Sequence, residues 1–174
     1  MTKSESLDMK FAIGDKVVHP QHGVGSVVGL EEKQFQPSAA CMYYVVSIPD
    51  TTLWVPVDLL TSGLRRLGLR SELEECRQVL QAIPQELNAG RELLSSLSNH
   101  IKQGTIVAQC EVVRDLTAFG VHKPLYGPLA DFQRVVLNVL CQEWATVTGV
   151  SEADASYEIN GLLKKGRTAQ EDEH

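Results

Sequence analysis

Two histidines spaced His19-x-x-His22 are the first residues that could do chemistry, because two imidazoles at that separation can share a metal ion. They flank Pro20-Gln21 at a strand-to-turn junction, and no Cys, Asp or Glu of matching spacing follows closely. Turn packing therefore outweighs a metal site, and no metal is expected. Cys41, Cys76, Cys110 and Cys141 include no close pair, so neither a zinc knuckle nor a redox CxxC is encoded. Cys110 and Cys141 fall on apolar helical faces, where a core role is expected. Glu111 and Asp115 can share one helix face, most simply a solvated one. The glycines at 23, 25 and 29 make no GxGxxG ahead of a helix, no GxxxxGK[ST] occurs, and no strand-to-helix elbow presents a serine. No catalytic residue and no cofactor follow from these patterns, and an enzyme is not expected.

Composition narrows the classes further. Sixteen Lys and Arg against twenty-two Asp and Glu leave a formal charge of -6 on 174 residues. Bulk attraction to phosphate backbones is disfavoured, since that affinity comes largely from cations releasing counterions. The imbalance is local: residues 1–71 hold seven basic and seven acidic residues, residues 72–163 six basic and twelve acidic. No apolar run approaches the roughly 20 residues of a membrane span, and residues 1–10 read as a short disordered tail without a secretory pattern. A cytoplasmic protein with no membrane partner is expected.

The elements that would position any site come in two kinds. From residue 11 to about 60 the pattern is of short strands: Lys16-Val17-Val18-His19 after the Gly14-Asp15 turn, then Val24 to Leu30, Cys41 to Ile48, and Leu53 to Val57 with Pro56 at an edge. Glycines inside the second strand predict bends, a bulge or close backbone approach, and together these suggest a small antiparallel β-barrel. Residues 34–40 read as a loose hairpin loop. After residue 71 the period becomes helical. Ser71 with Glu74 suggests a capping box, and apolar spacing predicts helices to Pro84, over residues 86–102, from Thr105 to about Gly120, from Pro128 to Gly149, and from Ser151 onward. Phe132, Val136, Val139, Leu140, Glu143 and Trp144 recur at three and four in the longest of these. The expected fold is α+β: a small barrel at residues 11–66, a linker at 67–71, an all-helical domain of about five helices at 72–163, and a flexible tail at 164–174.

Tyr43, Tyr44, Trp54, Val55 and Pro56 are more apolar surface than four short strands can all bury, since alternation turns every second side chain outward. A barrel with an incompletely paired edge could then accept a partner's strand. The other reading, in which the aromatics fill the barrel and its seam with the helices, stands beside it.

The motif Phe11-x-x-Gly14-Asp15-x-Val17-Val18-His19-Pro20-x-His22-Gly23-Val24-Gly25-x-Val27, with Tyr43-Tyr44 and Val55-Pro56-Val57, resembles the opening domain of the CarD/CdnL family of bacterial transcription regulators, a module shared with transcription-repair coupling factor. More loosely, the resemblance extends through Gly63-Leu64-Arg65, Lys102-x-Gly104 and Glu111-Val112-Val113-Arg114-Asp115-Leu116. It implies a Tudor-like barrel that binds the β subunit of RNA polymerase, and helices that touch promoter DNA and stabilise the open complex without an enzymatic step. Carried onto this chain, the polymerase-binding residues would be Lys33, Leu53, Trp54, Val55 and Pro56, with Trp54 where the family usually has a basic residue. Asn88, Ala89, Gly90 and Arg91 stand where characterised members often carry a wedging Asn-Trp pair before Arg. A methyl group in place of an indole, on an acidic half, implies weak or absent DNA contact. The chain thus reads as a regulator of polymerase–promoter complexes, or alternatively as a polymerase-bound protein-interaction adaptor with no direct DNA contact.

Overall fold

The computed structural model describes residues 10–37, 39–58 and 63–174. The expected tail at residues 1–10 lies, except for Lys10, outside them. Five strands form one antiparallel sheet: β1 (Lys16–His19), β2 (Gly23–Gln36), β3 (Ala39–Ile48), β4 (Thr51–Pro56) and β5 (Arg65–Arg66), in the order β4-β3-β2-β1-β5. The segment expected as a loose loop at 34–40 is mostly strand, with β2 running to Gln36 and β3 starting at Ala39. Pro49-Asp50 makes the next turn, and Asp50 takes a left-handed backbone (φ 69°) that Asp tolerates better than most residues.

The sheet is open, which overturns the expected Tudor-like β-barrel. The curving devices anticipated from the glycines are present. Register shifts between Val27 and Gly29, and a Cβ on Gly25 would lie 2.6 Å from the Ile48 side chain and 2.8 Å from the Ser47 carbonyl. Closure fails at the ends. Among the described residues β4 and β5 share no pairing, β5 is two residues long, and its Arg65 side chain is engaged by the helices. Phe11, Val17, Val27, Tyr44, Val46, Val55, Val57 and Leu64 still build a buried cluster on one face of the sheet. The Phe11 ring meets Tyr44 edge-on at 5.6 Å, while the Tyr44 hydroxyl accepts the Phe11 N–H at 3.3 Å.

A 3-10 turn at Arg70–Glu72 leads into five helices: α1 (Leu73–Gln81), α2 (Leu93–Gln103), α3 (Ile106–His122), α4 (Gly127–Thr148) and α5 (Glu152–Asp172). Ser71 caps nothing by side chain. Glu72, at the N-cap of α1, makes no side-chain cap either; it is ion-paired to Arg66 and accepts the Leu69 N–H at 3.4 Å. Thr105 Oγ1 caps α3 through the Val107 N–H, Ser151 Oγ caps α5 through the Asp154 N–H at 3.0 Å, and Gly149 ends α4 with φ 77°. Residues 82–92 are irregular, so α2 starts later than expected. Residues 164–174, expected as a flexible tail, carry α5 on to Asp172. Gly166 is buried so close to α1 that a Cβ would lie 2.5 Å from the Ala82 carbonyl. The core of this half gathers Cys76, Leu80, Ile106, Cys110, Leu116, Leu140, Trp144 and Ile159.

Arg65 joins the halves. Its guanidinium donates to Glu143 at 2.7 and 2.6 Å and to the Gln109 side chain at 2.8 Å, with Arg65 8% and Glu143 0% exposed. The second Glu143 oxygen also accepts the Gly68 N–H at 2.8 Å. Breaking a buried pair from one side strands the other charge, at about 3–5 kcal/mol. Arg65→Ala is expected to lose that much in urea denaturation, and the combined Arg65→Met, Glu143→Leu replacement to recover part of it. A loss under about 1 kcal/mol in the single variant would show that the pair does not hold the fold.

Candidate functional site

The exposed face of the β4 edge assembles the most distinctive surface chemistry. Alternation sends Leu53 and Val55 toward the sheet core, where they pair with Val46 and Tyr44, and turns Trp54 outward, 41% exposed. Trp54 lies opposite Val45, and Val45 opposite Gly29. Residues in one cross-strand row share a face, so the row runs Trp54, Val45, Gly29. The next positions on that face of β2 are Glu31 and Lys33. Trp54 Nε1–H donates to Glu31 Oε2 at 2.9 Å, and Lys33 Nζ sits 3.6 Å from the indole centroid and 3.6 Å from the same Glu31 oxygen. An ammonium over the indole face is attracted by the ring quadrupole.

Of the five residues expected to bind polymerase, three are thus brought to the surface together or near it: Lys33, Trp54 and the half-buried Pro56. Val55 is buried and Leu53 packs against the sheet core, so these two shape the strand from beneath. Of the aromatics weighed as surplus, Tyr44 fills the core and Trp54 does not. A cleft of about 290 Å³ opens beside Trp54, walled by Val55 and Pro56 on one side and Ile101, Lys102, Phe132 and Val135 on the other.

Asn88, Ala89, Gly90 and Arg91 are all exposed, at the end of the irregular segment ahead of α2, and space around Gly90 is open. They lie on the helical half, apart from the β4 cluster. Two of the basic residues that might have flanked them are committed elsewhere. Arg77 pairs with Glu158 at 2.8 Å, and Arg114 is buried against Asp115 at 2.7 Å. Asp115 also accepts the Gln85 N–H at 2.9 Å, so it is a buried organiser of the 82–92 segment rather than part of a solvated face. Glu111 meets His100 at 2.6 Å.

His19 and His22 do come together, ring centroids 4.8 Å apart, but as a turn. His19 Nδ1 accepts the backbone N–H groups of Gln21 and His22 at 3.1 and 3.3 Å, which needs a neutral ring. Burial, reinforced by the neighbouring His22, lowers its pKa from 6.5 to about 4. Among the described residues no group of three or more His, Cys, Asp or Glu could hold a metal ion, and no helix is long and apolar enough to cross a membrane.

Residues 11–68 match the family model described as the CarD-like/TRCF RID domain, a span that takes in all five strands and ends at the glycine bonded to Glu143. CarD-like RID domains are non-catalytic regulatory modules. The chain is also similar to "Putative transcription factor YdeB" of Bacillus subtilis (strain 168), 29% identical over 146 residues that cover 82% of this chain and 95% of that protein. Together the two similarities support a general transcription-regulatory role.

The His19 turn has a pH signature. A base whose folded pKa is lowered leaves the unfolded chain binding more protons between the two values, so its stabilisation is present above pH 6.5 and lost as pH falls toward about 4. His19→Asn keeps an acceptor for the turn and removes the titration. Its stability relative to the native chain, from urea denaturation at several pH values, should improve steadily through that window. Parallel pH curves would show that His19 is not held neutral.

Proposed function

We propose that the chain is a bacterial cytoplasmic transcription regulator whose CarD-like domain docks on the β subunit of RNA polymerase through the β4 edge and modulates the stability of the promoter open complex. The observation that carries this reading is an indole kept on the outer face of an edge strand, in the part of the chain that matches the CarD-like family. An edge strand offers unpaired backbone groups to an incoming strand, and a large ring beside it supplies an anchor at little entropic cost. Trp54 and Pro56 would meet the partner directly, with Lys33 part of the same surface beside the indole and Leu53 and Val55 holding the strand in place from the core side.

The helical half would then lie over promoter DNA, with Asn88, Ala89, Gly90 and Arg91 as its contact. Alanine cannot fill the gap between unstacked bases as an indole would, so this contact would be weak and limited to Arg91 on a phosphate. A second reading, an adaptor on polymerase with no direct DNA contact, draws support from one observation. Arg77 and Arg114 are taken up in ion pairs, so no basic stripe runs from them to Arg91 and Lys102.

Equilibrium binding to polymerase holoenzyme, with and without an open-promoter fragment at two salt concentrations, separates these readings. Affinity that rises with promoter DNA in a salt-sensitive way supports the regulator; affinity indifferent to DNA supports the adaptor; no binding to polymerase overturns both. Trp54→Ala is expected to weaken polymerase binding by about 2 kcal/mol, roughly thirtyfold, while circular dichroism and melting stay unchanged. Unaltered affinity would remove β4 from the interface. Ala89→Trp is expected to strengthen binding to the promoter complex, and no gain would place the 88–91 segment away from the duplex.

A further inference from the structure

Trp54 is exposed, yet three geometric facts fix it: its N–H is spent on Glu31, one ring face is covered by the Lys33 ammonium, and Lys33 and Glu31 meet at a shared carboxylate oxygen. We propose that Glu31 and Lys33 are positioning residues that hold the Trp54 indole in a single orientation before any partner arrives, and that the partner side chain received there is apolar or aromatic rather than cationic. This rests on the reading of β4 as a docking edge.

An unclamped surface tryptophan samples several rotamers, and a partner must freeze it on binding. A ring already frozen removes that part of the ordering cost. The clamp also decides what the ring can still do. Its hydrogen-bond donor is occupied, and one π face is already stabilising a cation, so the exposed part of the ring offers a partner carbon surface and no free donor. The indole also borders the cleft, where Pro56, Ile101, Phe132 and Val135 are joined by the polar Gln21 and Ser98 and by Lys102. A second cation brought to the ring would sit near both Lys33 and Lys102, whereas an apolar or aromatic group meets matching surface.

Indole dynamics and affinity, measured together on the full chain, test this. In 15N-labelled protein the two indole N–H resonances are distinguished by Trp54→Phe. The heteronuclear NOE of Trp54 should be that of an ordered group in the native chain and should fall in Lys33→Met and in Glu31→Ala. Polymerase affinity should fall with it by about two- to fivefold in Lys33→Met, the scale of an exposed cation–π contact. Lys33→Arg, which keeps a cation over the ring, should restore both. Indole order unchanged in Lys33→Met would overturn the clamp. Affinity lost with order intact would make Lys33 a direct contact and overturn the positioning role. If Trp54→Ala leaves polymerase binding intact while Lys33→Met still mobilises the ring, the docking reading fails and the clamp stands. A panel of peptides in which the residue facing Trp54 is Phe, Leu or Lys, grafted on a strand-forming host that binds the protein, should favour Phe and Leu. Preference for Lys would overturn the assigned partner chemistry.

Discussion

A guanidinium and a carboxylate, both withdrawn from water, set the relation between the two halves of this protein. Arg65 comes from the last strand of the sheet and Glu143 from the C-terminal third of the longest helix, 78 residues away. Neither charge is tolerable alone at that depth. The pair is made acceptable by the surrounding bonds: Gln109 takes one guanidinium N–H and donates its own to the Val136 carbonyl at 3.0 Å, and Gly68 gives its N–H to the carboxylate. Strand β5, the turn that follows it and helices α3 and α4 therefore converge on one polar knot inside two apolar clusters. Apolar packing could hold these elements together in several arrangements. A bidentate ion pair with every partner satisfied admits far fewer.

The same knot explains why the sheet stays open. β2 and β3 are long, twisted and bulged, and a sheet of that shape could close if its last strand extended alongside β4. β5 instead contributes only Arg65 and Arg66, one turned inward to the helices and the other to Glu72 at the start of the helical half. What the sheet gives up in closure leaves β4 as an edge, and the edge is where Trp54 stands.

Much of this was legible in the residues and some of it could not be. Local pattern carried β1, β3 and β4, the caps at Thr105 and Ser151, and the stop at Gly149, because each depends on neighbours two to four positions away, whereas it left open whether Trp54 faced outward or filled the core. The barrel did not survive, because closure is a relation between the first and last strands that no local pattern encodes. Ser71 makes no cap, and the neighbouring Glu72 carboxylate turns away from the helix to Arg66 and the Leu69 N–H. The tail at 164–174 looked coreless because its one buried contact beyond Leu163, Gly166 against Ala82, is made by a residue with no side chain. Glu143 was visible as a carboxylate on an otherwise apolar stripe. That oddity was the signal of a buried partner, though nothing near it named Arg65. The Trp54 clamp was hidden for the same reason, since it reaches over β3 and requires the register of three strands at once.

The residues between sheet and helices give the molecule a property beyond cohesion. A linker was expected at 67–71, yet Leu67 donates to the Lys16 carbonyl at 3.3 Å, Gly68 to Glu143, Leu69 to Glu72, and Arg70 to the Thr148 carbonyl at 3.4 Å. With no slack, the two halves behave as one gauge of set length rather than as tethered modules. For two flexibly joined binding units, the second contact forms at an effective concentration fixed by chain length, and a misplaced target is still reachable. If each half meets its own target, as the docking reading has it, a target engaged at one end would either bring the other into register or leave it unreachable, and spacing itself would become something the protein can discriminate.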